Sequence, residues 1–126
     1  MDRYGSEFLQ VITHPLMIVD SKLRILWVND AFLRKFQVVA EETVGNVLSK
    51  IGAGQWADEG LQQLLDATLT TGSAFRDYRI TRAFPDIGEM TVKVSGSRVP
   101  PIGGSADLIL LAFEEDLGKT ASGGPR

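Results

Sequence analysis

The 126-residue sequence contains no cysteine. That excludes disulfides, thiolate zinc and iron–sulfur sites, a cysteine nucleophile and a cysteinyl flavin adduct. A single histidine, His14, leaves no material for a histidine metal cluster, and it sits beside Pro15 rather than in a catalytic motif. A dominant charge of one sign is missing too. Thirteen Lys+Arg against 16 Asp+Glu give a net charge of -3, which provides no electrostatic footprint for nucleic acid or an anionic membrane. The longest apolar run, Leu108 to Phe113, falls far short of the roughly 20 residues that span a bilayer. Met1 to Glu7 lacks the basic-then-apolar order of a signal peptide. These absences lead us to expect a cytoplasmic protein with no nucleic-acid and no membrane partner.

What is present describes an ordinary globule, with 44% apolar and 23% charged residues. The length suits one domain able to bury roughly two-thirds of its unfolded surface. Residues 1–14 read as a flanking helix, with Ser6 as cap and Phe8, Leu9 and Ile12 on one face. Residues 15–116 form the folded domain. The glycine-rich segment 117–126 reads as a flexible linker, the mark of a module cut from a longer protein.

Within the domain, Leu16 to Val19 and Leu23 to Val28 flank the turn Asp20-Ser21-Lys22 and predict a hairpin. Asn29 or Asp30 caps a helix that places Phe32, Leu33 and Phe36 on one face. Glu41-Glu42 opens a single turn ending at Gly45, and Val47 to Trp56 is irregular. Asp58 caps a second helix, whose Leu61, Leu64, Leu65 and Leu69 keep the helical period up to Gly72. Acids at these helix starts match the dipole and do not suggest an acid–base pair. Phe75 to Phe84 alternates, with Tyr78, Ile80 and Phe84 on one side and Asp77, Arg79 and Thr81 on the other. Glu89 to Val99 alternates again, with Met90, Val92 and Val94 inward. Ala106 to Glu115 is the last strand.

Short turns between the late strands make them antiparallel. The first and last strands are apolar at nearly every position, so they are expected to be central and buried on both faces. The fold class is therefore α+β: a five-stranded antiparallel sheet, short helices on one face, and the N-terminal helix or a partner copy on the other.

The ordered set Leu16-Met17-Ile18-Val19-Asp20, Ile25-Leu26-Trp27-Val28-Asn29, Ala31-Phe32, Gly45, Gly54-Gln55-Trp56, Leu64-Leu65, Phe75-Arg76-Asp77-Tyr78, Phe84-Pro85, Ile87-Gly88 and Leu110 to Glu114 resembles PAS domains. These are sensor modules of bacterial signalling proteins such as sensor histidine kinases and chemotaxis methylesterase–methyltransferase fusions. The resemblance covers about residues 6–116. It implies the same sheet, a ligand or cofactor pocket between sheet and helices, and a last strand that relays the change to a covalently linked output domain. Asp116 matches the acid that commonly ends that strand, whereas the hydroxyl residue of the family's pattern is replaced by Gly118. Cysteine-linked chromophores are ruled out. Haem lacks its usual histidine, since Asp58 to Thr71 contains none. A non-covalent flavin, another small molecule or an empty core remain as alternatives.

The candidate pocket residues are Phe32, Phe36, Gln55, Trp56, Leu65, Tyr78, Ile80, Met90 and Val92. A packed core made of the same residues is the competing reading. Trp56 and Tyr78 stand out because each has a polar tip that seeks a partner when buried, and Gln55 could serve a turn as well as a ligand. Phe8, Leu9 and Ile12 are candidates for a homodimer interface, and Asp116 for signal relay. Two nucleotide-like motifs fail. Gly118-Lys119-Thr120 has Phe113 where a phosphate loop needs glycine. Gly52-Ala53-Gly54-Gln55-Trp56-Ala57 precedes hairpin-linked strands rather than a parallel crossover. A non-catalytic sensory module is the resulting expectation, with a ligand-free dimerisation and relay domain as the alternative and a small α+β enzyme as the remote one.

Overall fold

The computed structural model describes residues 14–99 and 107–117. The expected N-terminal helix with Phe8, Leu9 and Ile12, the loop before the last strand and the C-terminal tail lie outside the described residues. Strands β1 (Leu16–Val19) and β2 (Ile25–Val28) come first, followed by helix α1 (Asp30–Phe36) and 3-10 turns at Ala40–Glu42 and Leu48–Lys50. Helix α2 (Glu59–Thr71) then leads to β3 (Phe75–Phe84), β4 (Gly88–Val99) and β5 (Leu108–Glu115).

Local chemistry sets these boundaries. The β1–β2 turn closes on Asp20, whose Oδ1 accepts from the N–H of Lys22 and of Arg24, both at 2.9 Å. Asn29 is fully buried and makes three bonds. Its Oδ1 accepts from Phe32 N–H at 3.1 Å, capping α1, and from Leu16 N–H at 2.9 Å, while its Nδ2 donates to the His14 carbonyl at 2.8 Å. Asp58 caps α2 through Leu61 N–H at 3.0 Å. Gly72, at φ 79°, ends the helix in the left-handed conformation that glycine adopts without a steric cost.

The sheet order is β2-β1-β5-β4-β3, antiparallel throughout, with Leu16 opposite Ala112, Val94 opposite Phe113 and Ile80 opposite Val92. The first and last strands are internal, as their composition required. β3 carries a bulge between Phe75 and Tyr78, where Asp77 has φ 58° and donates its N–H to Ser95 Oγ at 3.0 Å. One face of the sheet holds the core: Met17, Val19, Ile80, Val92, Val94, Ile109, Leu111 and Phe113 are buried against Phe32, Leu61 and Leu65 from the helices. Ile18, Trp27, Leu108, Leu110 and Ala112 alternate onto the opposite face and are half-buried: the helices among the described residues pack on the first face, and the N-terminal helix expected on the second lies outside the described residues. No helix among the described residues is long and apolar enough to cross a membrane.

Candidate functional site

Five rings from four places in the chain meet at one end of the core. Phe32 and Phe36 are one helical turn apart on α1, Trp56 comes from the segment before α2, Phe84 from the end of β3, and Phe113 from the middle strand. Trp56 is the hub, with its ring centroid 5.0 Å from Phe113, 5.2 Å from Phe36 and 5.6 Å from Phe84, all edge-on. Phe32 lies 5.1 Å from Phe113, and Phe36 lies 5.5 Å from Phe84. Edge-to-face pairs of this kind each contribute about 0.5–1.5 kcal/mol beyond burial.

A cleft of about 70 Å³ opens against this cluster, lined by Phe32, Phe36, Gln37, Val38, Ile51, Gly52, Gln55, Trp56, Phe84, Pro85 and Asp86. Four of the sequence-predicted residues, Phe32, Phe36, Gln55 and Trp56, therefore border one cavity. Gln55 serves its turn as well, its Oε1 accepting from Ala53 N–H at 3.1 Å. Leu65, Ile80, Met90 and Val92 are buried in the same core but do not line the cleft. Sequence reasoning left Gln37, Val38, Ile51, Pro85 and Asp86 out of the set. They sit on loops, and no periodic pattern marks them.

Tyr78 also lies away from the cleft. Its hydroxyl donates to Asp58 Oδ2 at 2.5 Å, and Arg82 Nη2 reaches Asp58 Oδ1 at 2.8 Å. One carboxylate thus caps α2 and ties it to β3. Burial pushes Asp58 upward, but the bonds from Tyr78, Leu61 N–H and Arg82 outweigh it and hold the carboxyl below its ordinary range. The same bond to Asp58, with burial, raises Tyr78. Arg82 shares the strand parity of Tyr78 and Ile80, and that parity was the available signal for its inward position.

The exit of β5 is ion-paired at three successive residues. Glu114 faces Lys93 at 3.8 Å, Glu115 bonds Lys35 of α1, and Asp116 Oδ2 accepts from Arg79 Nε at 2.5 Å. Asp116 N–H also donates to the Thr91 carbonyl at 2.8 Å, extending the ladder past the strand. The described residues hold no cluster of metal-ligating side chains.

No protein-family profile and no curated protein matches the sequence. Solved structures do match in three dimensions. The PAS domain of nitrogen regulation protein NR(II) from Vibrio parahaemolyticus aligns with a TM-score of 0.70 at 20% identity, covering 91% of this chain and 100% of that one. The VqmA dimer of Vibrio cholerae aligns with a TM-score of 0.75 at 11% identity, over 92% of this chain and 52% of that one, so this chain spans about half of VqmA. A LOV protein of Rhodobacter sphaeroides aligns with a TM-score of 0.69 at 17% identity, over 97% of this chain and 72% of that one. With its strand order, antiparallel pairing and one-sided helical layer matched over at least 91% of its length, the chain has the PAS fold.

Proposed function

We propose that this chain is a non-catalytic sensory module of a cytosolic signal-transduction protein, with the aromatic cleft as its input and β5 as its output. The observation that carries the reading is the shared ring cluster. Trp56 and Phe36 line the cleft and also pack on Phe113 of the middle strand. A molecule entering the cleft must therefore repack side chains that touch β5. At about 70 Å³ the cleft is about half the volume, roughly 150 Å³, of a cavity that takes benzene, so occupancy and side-chain movement are coupled. As it stands the cleft suits a molecule smaller than flavin or haem, since sites for molecules of drug size run to roughly 300 Å³ and above.

The output leaves through Asp116 toward an attached domain, and α1 is linked to the same exit through Lys35 and Glu115. The half-buried apolar face of the sheet supports homodimerisation. Net charge of -3 supports a module that itself contacts no nucleic acid. A second reading, relay without any ligand, is favoured by the density of the ring cluster.

Protein-observed NMR with a library of small apolar fragments tests the proposal. The expected hits shift the Trp56 indole and the Phe113 amide together. Hits that move Trp56 but leave β5 still would overturn the coupling. A library with no hit at the cleft would leave ligand-free relay as the function.

A further inference from the structure

The cleft's leftover hydrogen-bonding capacity specifies the chemistry of its occupant. Gln55 is only 6% exposed and lines the cleft. Its carbonyl oxygen is already engaged by Ala53 N–H. That bond fixes the direction of the amide, because a backbone N–H needs the oxygen and not the nitrogen. The amide NH2 is left with no partner among the described residues. It is not sealed in, since no buried side-chain nitrogen or oxygen of the described residues lacks a partner. The NH2 therefore opens onto reachable space, and the cleft is the space that Gln55 borders. Trp56, at 4% exposure, repeats the pattern with an indole N–H that can only donate and has no described acceptor. The lining is otherwise aromatic rings, Val38, Ile51, Gly52 and Pro85, together with the exposed residues Gln37 and Asp86. Asp86 repels anions, in a chain already carrying -3.

Building on the cleft as input site, we infer that its ligand is a small uncharged molecule with an apolar body and a hydrogen-bond acceptor, such as a ketone or ether oxygen, held by the Gln55 amide N–H. A hydrocarbon leaves the donor unmet, a carboxylate meets Asp86, and an ammonium group offers only donors to the Gln55 and Trp56 donors.

Three probes that share one ring test this by NMR titration: cyclopentanone, cyclopentane and cyclopentylamine. The expected result is that cyclopentanone binds about tenfold more tightly than cyclopentane, the scale of one hydrogen bond in a water-poor site. Gln55→Glu keeps an acceptor for Ala53 N–H and removes the NH2, while Gln55→Met removes both functions at similar volume. Each variant should abolish the ketone's advantage and leave cyclopentane binding in place. Equal binding of ketone and hydrocarbon to the wild type, or an advantage that survives in both variants, overturns the inference and leaves the cleft as input site. Tighter binding of cyclopentylamine than of cyclopentanone overturns the uncharged class. Failure of all three to shift Trp56 or Phe84 removes the input site itself, and the inference with it.

Discussion

Asn29 joins the start of β1 to the start of α1, and the energetic weight of that joint is measurable. Replacing it with alanine strands the buried Leu16 N–H, frees the part-buried His14 carbonyl and removes the cap. Urea denaturation of Asn29→Ala should show a loss of about 3 kcal/mol, the sum of a lost cap and buried groups left unmet. Gly60 has a different role. It lies in the first turn of α2, where alanine is still the better helix former. A Cβ here would stand 2.1 Å from the Tyr78 hydroxyl as that group reaches Asp58. Gly60→Ala should therefore destabilise the wild type, yet become neutral or stabilising in a Tyr78→Ala background, and a double-mutant cycle reads the difference. Asp58 also shapes the pH response. Its folded pKa lies below the ordinary 3.8, so its contribution is present above that value and disappears as pH falls through the folded pKa. Tyr78 is raised above 10.0, so its contribution is present below pH 10 and disappears as pH climbs through the raised value. Denaturation midpoints of Asp58→Asn between pH 7 and 2.5 should fall less steeply than those of the wild type. Both caps were readable in the sequence because a short polar side chain before an apolar period has a local meaning. The Asp58 bonds to Tyr78 and Arg82 were not, since they join residues 20 and 24 positions apart through the tertiary fold.

The elements reward period-based reading unevenly. β3 spans Phe75–Phe84 as its alternation indicated, and α2 stops at Gly72 as its composition indicated. The short 3-10 turn Leu48–Lys50 escaped notice, because one turn carries no periodic signal. β5 has almost no polar side chain until Glu114, and its Ile109, Leu111 and Phe113 are sealed beneath the described helices, while the N-terminal helix expected over its other face lies outside the described residues. An apolar sequence states what a strand tolerates, whereas its neighbours decide what it receives. The acids that close β5 give this element its own prediction. Pairs this exposed contribute little each and are screened by salt. Amide exchange at Glu115 and Asp116 should accelerate in 1 M salt, roughly at the concentration where the Debye length shrinks to about 3 Å, while exchange at Ile109 and Leu111 stays unchanged. Equal acceleration along all of β5 would show that the ion pairs do not hold its end.

At the level of the molecule, the strand order and the central placement of β1 and β5 were legible, because pairing partners follow from turn lengths and from the need to bury apolar strands. The cleft was legible only in part. Its rings lie on elements with a period, whereas Gln37, Ile51 and Asp86 arrive on loops whose positions the fold alone decides. The half-buried apolar face of the sheet gives the whole-molecule prediction. Ile18 lies opposite Trp27 and Leu110, forming an apolar row across three strands. Sedimentation should detect a dimer at high micromolar concentration, and Leu110→Asp should shift it to monomer without loss of fold. A wild type that stays monomeric there would count against self-association. A further consequence follows from the place where the sheet begins and ends. The Pro15 carbonyl accepts from Phe113 N–H at 3.0 Å, so the start of β1 and the close of β5 lie side by side at one border. Tension applied between the entering and departing segments therefore acts on one rung at a time, as on a zip, and the module should yield to small forces.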